Sequence, residues 1–225
     1  MTGHITGIAD LLARLAAIDT CALSDALDRL GLSGQVTGLR PESGAGRVSG
    51  LAITVKLGTG DPPPGPPRHL GTTAIEAADA HSIIVVEQRT GENAGCWGGL
   101  LTRGAIRAGV RAVVADGPVR DIDEARDLDF PIFTNALTCF TARGRVVEKA
   151  TNVPVAIGDV IVHPGDFIVA DGSAIIVIPP DQVDAVLESA EMICAREAAM
   201  IAEMDRGTTM SDVLGGNYEH MLSRN

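Results

Sequence analysis

The residues most able to do chemistry lie in the segment Asp116–Asp121, which reads Asp-Gly-Pro-Val-Arg-Asp. This segment follows the apolar run Val110–Ala115, and the pattern predicts a buried strand that stops at the Asp-Gly-Pro turn. Ligands of α/β proteins bind beyond the carboxyl ends of such strands, so we expect Arg120 and Asp121 to face a ligand. Taken alone, the same two residues are equally compatible with a surface ion pair.

A second candidate lies upstream, in the glycine-rich segment Gly91–Leu100, which follows the apolar run Ser82–Val86. A helix is predicted next, over Gly99–Ala108, so its first amides would point toward this loop and suit a small carboxylate. A mobile surface loop is the alternative. The only tryptophan of the chain, Trp97, lies in the segment and favours a pocket, because a large aromatic is costly to expose.

Alternating strands and helices are predicted to position these loops. Apolar patterning predicts strands Leu51–Lys56, Ser82–Glu87, Arg111–Ala115 and Pro131–Phe133, with helices Thr72–Ala80 and Gly99–Ala108 among them. Such alternation indicates a partly parallel sheet. Two amphipathic helices are predicted to come first, Ile8–Ile18 and Cys21–Leu30, the second capped by Thr20.

After Gly144 the pattern changes to short strands with tight turns, which favours a curled sheet or a barrel-like layer. The predicted strands are Val153–Ile157, Val160–Val162, Asp166–Ala170 and Ala174–Ile178. A long helix is predicted from Pro180 to about Arg206. We expect one domain over residues 1–225, with N-terminal helices in 1–35, an α/β core in 36–179 and a C-terminal helix and tail in 180–225.

The long helix carries a carboxylate on its apolar stripe. Helical spacing places Glu197 between Ile193 and Ile201 on the same face. A carboxylate on a buried seam needs a cation or a hydrogen-bond donor, so Glu197 is predicted to face a metal, an arginine or a neighbouring subunit. The alternative is a frayed helix end with Glu197 in solvent.

Composition excludes several classes of function. The net charge of −11 and the scattered arginines argue against a nucleic-acid surface. No apolar run approaches the length of about 20 residues that a membrane helix needs, and no export signal is evident, so we expect a cytoplasmic protein without membrane contact. The four cysteines are dispersed and the histidines fall singly, which disfavours a zinc clamp, a redox dithiol and serine-hydrolase chemistry.

Two glycine- and proline-rich segments could be mistaken for functional motifs. Ser43–Gly50 nearly matches a dinucleotide-binding fingerprint, but its spacing is off by one residue and it precedes a strand, so it is interpreted as a turn. The proline-rich segment Asp61–Pro67 could link two domains. Because strands are predicted on both sides of it, a rigid excursion within one domain is favoured.

With these motifs in place, the chain resembles the family that joins the regulator of ribonuclease E activity to the 4-hydroxy-4-methyl-2-oxoglutarate aldolases. The resemblance extends from Gly38 to the last helix, and the Asp-Gly-x-x-Arg-Asp block is its most specific part. The segments that carry it are Trp97–Leu101, Gly109–Asp121, Pro164–Asp166 and Ala170–Gly172.

The resemblance implies an α/β fold, a layered α-β-β-α sandwich related to the swivelling phosphohistidine domain, assembled as a homotrimer or homohexamer with sites between subunits. It implies that Arg120 contacts substrate, that Asp121 holds a divalent metal, and that Glu197 of an adjacent subunit completes the metal shell. The pyruvyl carboxylate would be received by the amides of Gly98, Gly99, Leu100 and Leu101. Oxygen ligands favour Mg²⁺ or Mn²⁺.

The implied activity is cleavage of a 4-hydroxy-2-oxo acid to pyruvate by a metal-dependent aldolase, with oxaloacetate decarboxylation as a related reaction. One position departs from the family pattern: active aldolases usually carry an acidic residue where this chain has Gly99. Glu92 and Glu87 are candidates to replace it. The alternative function is a non-catalytic regulator of the ribonuclease E type, whose acidic surface would bind a protein partner.

Overall fold

The computed structural model describes residues 7–66 and 68–215. Its helices are α1 (Ile8–Ala17), α2 (Thr20–Leu30), α3 (Thr72–Ala77), α4 (Gly99–Ala108), α5 (Ile122–Asp127), α6 (Val183–Asp205) and α7 (Met210–Val213). The first strands are β1 (Gln35–Val36), β2 (Arg40–Ser43), β3 (Val48–Gly58), β4 (Ser82–Glu87), β5 (Ala112–Val119) and β6 (Ile132–Leu137). The remaining strands are β7 (Val147–Thr151), β8 (Val155–Ile157), β9 (Val160–Val162), β10 (Phe167–Ala170) and β11 (Ile175–Ile178).

A nine-stranded mixed sheet dominates the described part of the chain, in the order β1-β11-β10-β3-β4-β5-β6-β2, with β7 also paired to β3. Strands β3 to β6 are parallel to one another, whereas β10, β11, β1, β2 and β7 pair antiparallel. The partly parallel sheet predicted from the sequence is therefore confirmed. Strands β8 and β9 form a separate hairpin.

Three apolar clusters define the layers. Strand β4 is buried on both faces: Ile84 and Val86 pack with α3, α4 and α5, while Ile83 and Val85 point to a central cluster shared with β8, β10 and β11. The outer faces of β10 and β11 pack against α1, α2 and α6. The sheet thus curls around a central core, with helices on both outer sides, in agreement with the predicted curled sheet. The relation to swivelling phosphohistidine domains stays a prediction.

Several sequence boundaries hold and others require correction. Strands β4 and β9 and helix α4 begin and end where predicted. Helix α2 begins one residue early, at Thr20, because Asp19 is its N-cap and accepts from the amide of Ala22 at 2.8 Å. The Asp-Gly-Pro segment does not end its strand, since β5 continues to Val119.

The continuation of β5 has a local cause. The register between β5 and β6 shifts between Ala115 and Pro118, so the proline lies at an irregularity where a missing amide is tolerated. Asp116 is buried there and accepts from Asn135 Nδ2 at 2.7 Å and from the amide of Gly158 at 2.9 Å. This motif aspartate therefore ties the β8–β9 hairpin to the sheet.

The domain organisation stays a prediction, and its outermost residues, 1–6 and 216–225, lie outside the described ranges. Within those ranges, no helix is both long and apolar enough to cross a bilayer.

Candidate functional site

The two loops singled out in the sequence meet in the structure. Trp97 forms a parallel bridge with Val119, and the amide of Arg120 donates to the carbonyl of Trp97 at 3.1 Å. One residue earlier, the amide of Cys96 donates to the carbonyl of Pro118 at 2.8 Å. The glycine-rich loop thus runs along the end of β5, and this pairing brings Arg120 and Asp121 to the start of α4.

Trp97 anchors the loop. Its side chain is 1% exposed, and its Nε1 donates to Thr102 Oγ1 at 3.0 Å. Thr102 Oγ1 in turn donates to the carbonyl of Gly98 at 3.1 Å, so the indole is locked to the first turn of α4. A fully buried, hydrogen-bonded indole is incompatible with a mobile surface loop.

The Asp121 carboxylate binds the beginning of α4. Its Oδ2 accepts from the amide of Gly99 at 3.0 Å and lies 3.3 Å from Arg120 Nε. Asp121 itself has a left-handed backbone (φ 59°) and precedes α5 without capping it through its side chain. A non-glycine residue in this region costs on the order of 1–3 kcal/mol, and here the conformation directs the carboxylate away from its own helix.

Arg120 and Asp121 are half-buried, with side chains 37% and 40% exposed. Arg120 contacts Asp121 through Nε, and its Nη groups make no hydrogen bond within residues 7–66 and 68–215. The ion pair foreseen as the alternative therefore exists, but it leaves most of the guanidinium able to bind an anion.

The close approach of Arg120 and Asp121 explains why two positions of the loop are glycine. A Cβ at Gly98 would lie 2.9 Å from Asp121 Oδ2 and 3.1 Å from Arg120 Cγ. A Cβ at Gly95 would lie 2.9 Å from the same Cγ. Any larger residue at these positions would displace the pair, so the glycines make room for Arg120 and Asp121.

A cleft of about 720 Å³ opens from this pair. Its walls include the proline-rich excursion, the start of α4 and residues 141–144 and 146–150. Four cationic side chains line it against two acidic ones: Arg68, Arg120, Arg143 and Lys149 against Asp121 and Glu148. The cleft of this acidic protein is therefore lined mainly by cations, which favours an anionic ligand.

Two first-turn amides of α4 are available to such a ligand. The first amides of a helix have no intrahelical acceptor, and Asp121 already takes that of Gly99. The amides of Leu100 and Leu101 have no acceptor in the described part of the chain. Of the four predicted carboxylate-binding residues, Gly99 thus holds Asp121, and Gly98, Leu100 and Leu101 have amides without an acceptor in the described ranges.

The side chain of Glu124, a residue that the sequence analysis does not single out, occupies the space beside Gly99. A Cβ at Gly99 would lie 2.0 Å from Glu124 Oε2. No helix is predicted over residues 122–127, and the approach of Glu124 to Gly99 is a tertiary contact, so no local sequence signal identifies it.

Neither Glu87 nor Glu92, the two proposed substitutes, occupies this space. Glu87 accepts from the amide of Ala156 at 2.6 Å and pairs with Lys56. Glu92 lines a separate, more open cleft of about 520 Å³ beside Gln88 and Arg89.

Glu197 does not line the cleft that contains Asp121. The apolar stripe of α6 is buried only as far as Ile193, and Ile201 is 54% exposed, so the buried seam expected around Glu197 is wrong. Partial burial raises the pKa of Glu197, and the nearby carboxylates of Asp19 and Asp25 raise it further. Its role as a metal ligand stays a prediction that requires a second copy of the chain.

The donor set around Asp121 suits a weakly held, hydrated cation. Within the described ranges, no group of three or more His, Cys, Asp or Glu side chains is arranged to hold a metal. Mg²⁺ keeps several waters and needs only one or two carboxylates from the protein. The half-exposed Asp121, with Glu124 beside it, meets that smaller requirement.

Comparison with known proteins gives a consistent result. The RraA-like family model, described as Aldolase/RraA, matches residues 20–177. A Halalkalibacterium halodurans protein named "Putative 4-hydroxy-4-methyl-2-oxoglutarate aldolase" is 31% identical over 183 residues, covering 81% of this chain and 82% of that protein. Protein DlpA of Legionella pneumophila is 28% identical over 201 residues, covering 89% of this chain but 32% of DlpA, a much longer protein.

A solved structure has the same fold. Streptomyces coelicolor RraAS2, described as an unusual member of the RNase ES inhibitor RraA protein family, superposes with a TM-score of 0.72 at 25% identity. The match covers 88% of this chain and 96% of that one.

Proposed function

The chain belongs to the RraA-like family, and we propose that within it the protein is a divalent-metal-dependent lyase that cleaves a 4-hydroxy-2-oxo acid to pyruvate. The observation that carries this proposal is the convergence of Arg120, Asp121 and the open amides of α4 at one end of a mainly cationic cleft. Relatives named as aldolases support the reaction type.

The start of α4 would bind the substrate carboxylate. The amides of Leu100 and Leu101 donate to it, and the positive end of the helix dipole adds a favourable field. This contact fixes the 2-oxo group beside Arg120. Loss of the 4-hydroxyl proton lets C4 become a carbonyl as the bond between C3 and C4 breaks, and the electron pair stays on the pyruvate fragment as an enolate that later takes up a proton at C3. The guanidinium of Arg120 stabilises the negative charge of this enolate as it develops.

Asp121 would hold the cation, Mg²⁺ or Mn²⁺, with Glu197 of a second copy as the further carboxylate. When bound, such a cation supplies Lewis-acid polarisation of the 2-oxo group. Oxaloacetate decarboxylation develops charge on the same fragment, so the same residues would serve that reaction.

A covalent amine mechanism has little support. The lysines are Lys56, which pairs with Glu87, and Lys149, whose Nζ donates to the carbonyl of Asp61 at 2.7 Å. Lys149 thus secures the proline-rich wall of the cleft instead of offering a free amine.

Pyruvate release tests the proposal. The protein is assayed with 4-hydroxy-4-methyl-2-oxoglutarate, 4-hydroxy-2-oxoglutarate and oxaloacetate, with Mg²⁺ or Mn²⁺ and with EDTA. We expect metal-dependent pyruvate formation that Asp121→Asn reduces at least about 100-fold. Asp123→Asn is the matched control, because Asp123 lies two residues away, in the first turn of α5, with its side chain 90% exposed.

The second candidate is a non-catalytic regulator that binds a protein partner. It is favoured by the likeness to a ribonuclease-inhibitor family member and by the net charge of −11. Absence of pyruvate release from all three substrates, with either metal, would support this function over the lyase.

A further inference from the structure

Glu124 lies in a space that only a glycine at position 99 leaves open. Its Oε2 is 2.0 Å from the point where a Cβ of residue 99 would stand, and its Cδ is 2.9 Å from that point. The Cβ of Asp121 is 3.4 Å from the same point. The carboxylate of Glu124, on α5, and the side chain of Asp121, which precedes α5, therefore both approach the first residue of α4.

This convergence has an electrostatic cost that its surroundings offset. Two carboxylates that approach the same residue repel each other. Arg103 Nε binds Glu124 Oε1 at 2.5 Å, Arg120 Nε lies 3.3 Å from Asp121, and the start of α4 favours negative charge. Each carboxylate thus has its own cation, and neither guanidinium bridges the two.

Simple helix capping does not account for Glu124. The amide of Gly99 is bonded to Asp121, and no amide of α4 donates to Glu124. The Arg103–Glu124 pair is an exposed ion pair, which contributes little to stability. The proximity of Glu124 to Asp121 is therefore the feature that needs a function.

We propose that Glu124 is a positioning residue for the cation of Asp121: α5 delivers its carboxylate over Gly99, where it adds negative charge and a hydrogen-bond acceptor beside Asp121. This inference rests on the proposed function, since it assumes a divalent cation at Asp121. Glu124 acts through Asp121 and through the water of a hydrated cation, in the manner of the outer carboxylates that orient metal ligands.

Mn²⁺ binding to the full-length protein, measured by isothermal titration calorimetry without substrate, tests the inference. Glu124→Gln is expected to weaken Mn²⁺ binding by about 10- to 100-fold. The matched control is Glu191→Gln. Glu191 also pairs with an arginine, Arg14, and like Glu124 it does not line the cleft, but it lies on α6, which packs with α1 and α2. This variant should bind Mn²⁺ like the wild type.

A double variant that moves the carboxylate from α5 to α4 separates the effect of the carboxylate's position from an effect on folding. In Gly99→Asp with Glu124→Ala, the carboxylate reaches the same space from α4, and we expect Mn²⁺ affinity to return to within about threefold of the wild type. Gly99→Asp alone places two carboxylates in the space of one and should not strengthen binding. Melting temperatures of all variants show whether a loss reflects unfolding.

The outcomes distinguish this inference from the proposed function. If Glu124→Gln and Glu191→Gln bind Mn²⁺ equally well while Asp121→Asn has lost binding, Glu124 has no such role and the lyase proposal stands. If Asp121→Asn binds like the wild type, or the wild type binds no Mn²⁺, the cation site fails and both proposals fail with it.

Discussion

At the scale of single residues, the candidate site depends on a position where glycine leaves space for its neighbours. Gly98 has an extended backbone (φ −169°) that any residue could adopt, so its conformation does not require glycine. Glycine is required because a Cβ at position 98 would lie only 2.9 Å from Asp121 Oδ2. A methyl group at position 98 would therefore displace the Arg120–Asp121 pair while causing little backbone strain.

Gly98→Ala is therefore expected to lower pyruvate formation by about tenfold or more, because small misplacements of catalytic groups are costly, while the melting temperature changes by only a few degrees. Gly172→Ala is the matched control, since a Cβ at Gly172 meets no atom within 4 Å. Equal activities of the two variants would show that the Arg120–Asp121 geometry is not needed.

Cys96 reports on the same loop. Burial raises the pKa of its thiol to about 12, whereas Cys21 and Cys139 are exposed. At pH 8 the native protein should therefore be alkylated by iodoacetamide at Cys21 and Cys139 and protected at Cys96, as mass spectrometry would show. Rapid alkylation of Cys96 would mean that the loop opens in solution.

At the scale of elements, one partly buried carboxylate joins α2 to the β10–β11 turn. Asp171 accepts from Thr20 Oγ1 at 2.6 Å, from the Thr20 amide at 2.9 Å and from the Ser173 amide at 2.9 Å. Burial alone would raise the pKa of Asp171, but these hydrogen bonds outweigh it and lower the pKa below its ordinary value. A lowered pKa means that the ionised form stabilises the fold.

This contribution is present above the unfolded-state pKa of about 3.9 and is lost as the pH falls through the lower folded-state value. Asp171→Asn should reduce the free energy of unfolding by about 1–3 kcal/mol at pH 7, and the difference from the wild type should shrink toward pH 2. Urea denaturation at both pH values measures it. A difference that is independent of pH would contradict the assignment.

The helices and strands also show how much of the fold could be predicted from the sequence. Strands buried on both faces, such as Ser82–Glu87, and the helix Gly99–Ala108 were located from their apolar patterns alone. The short strands β1, β2 and β7 were missed, because their polar residues carry no clear periodicity and they form only by pairing with β11, β6 and β3.

For the candidate site, the sequence singled out Arg120, Asp121 and the start of α4, because turn residues and glycines mark these positions locally, and the structure brings them together. It did not identify Glu124, since the convergence of α5 on Gly99 is a tertiary contact. Glu197 illustrates the same limit of local sequence patterns. Its apolar neighbours predicted a buried seam, but the residues of α6 beyond Ile193 are not buried.

At the scale of the whole molecule, the proposed site is incomplete in one chain. Asp121 lines the cleft and Glu197 does not. Leu100, at the cleft wall, is 88% exposed in a single chain. Both observations are consistent with the predicted homotrimer or homohexamer, in which a second copy would cover this edge.

Subunit mixing tests this arrangement. Asp121→Asn and Glu197→Gln should each be nearly inactive alone. When equal amounts of the two variants are dissociated and reassembled together, activity should reach about a quarter of the wild type. Random pairing then gives about a quarter of the sites both a native Asp121 and a native Glu197. Light scattering gives the size of the assembly. A mixture as inactive as its parents would contradict a site shared between copies.

The most direct test of a cation beside Arg120 is anomalous scattering from a crystal soaked in Mn²⁺ and oxalate, a stable analogue of the pyruvate fragment. The account predicts an anomalous peak at coordination distance from an Asp121 carboxylate oxygen, with oxalate held by the Leu100 and Leu101 amides. An oxalate-free cleft without a peak, in which Arg120 and Asp121 bind only each other, would contradict it.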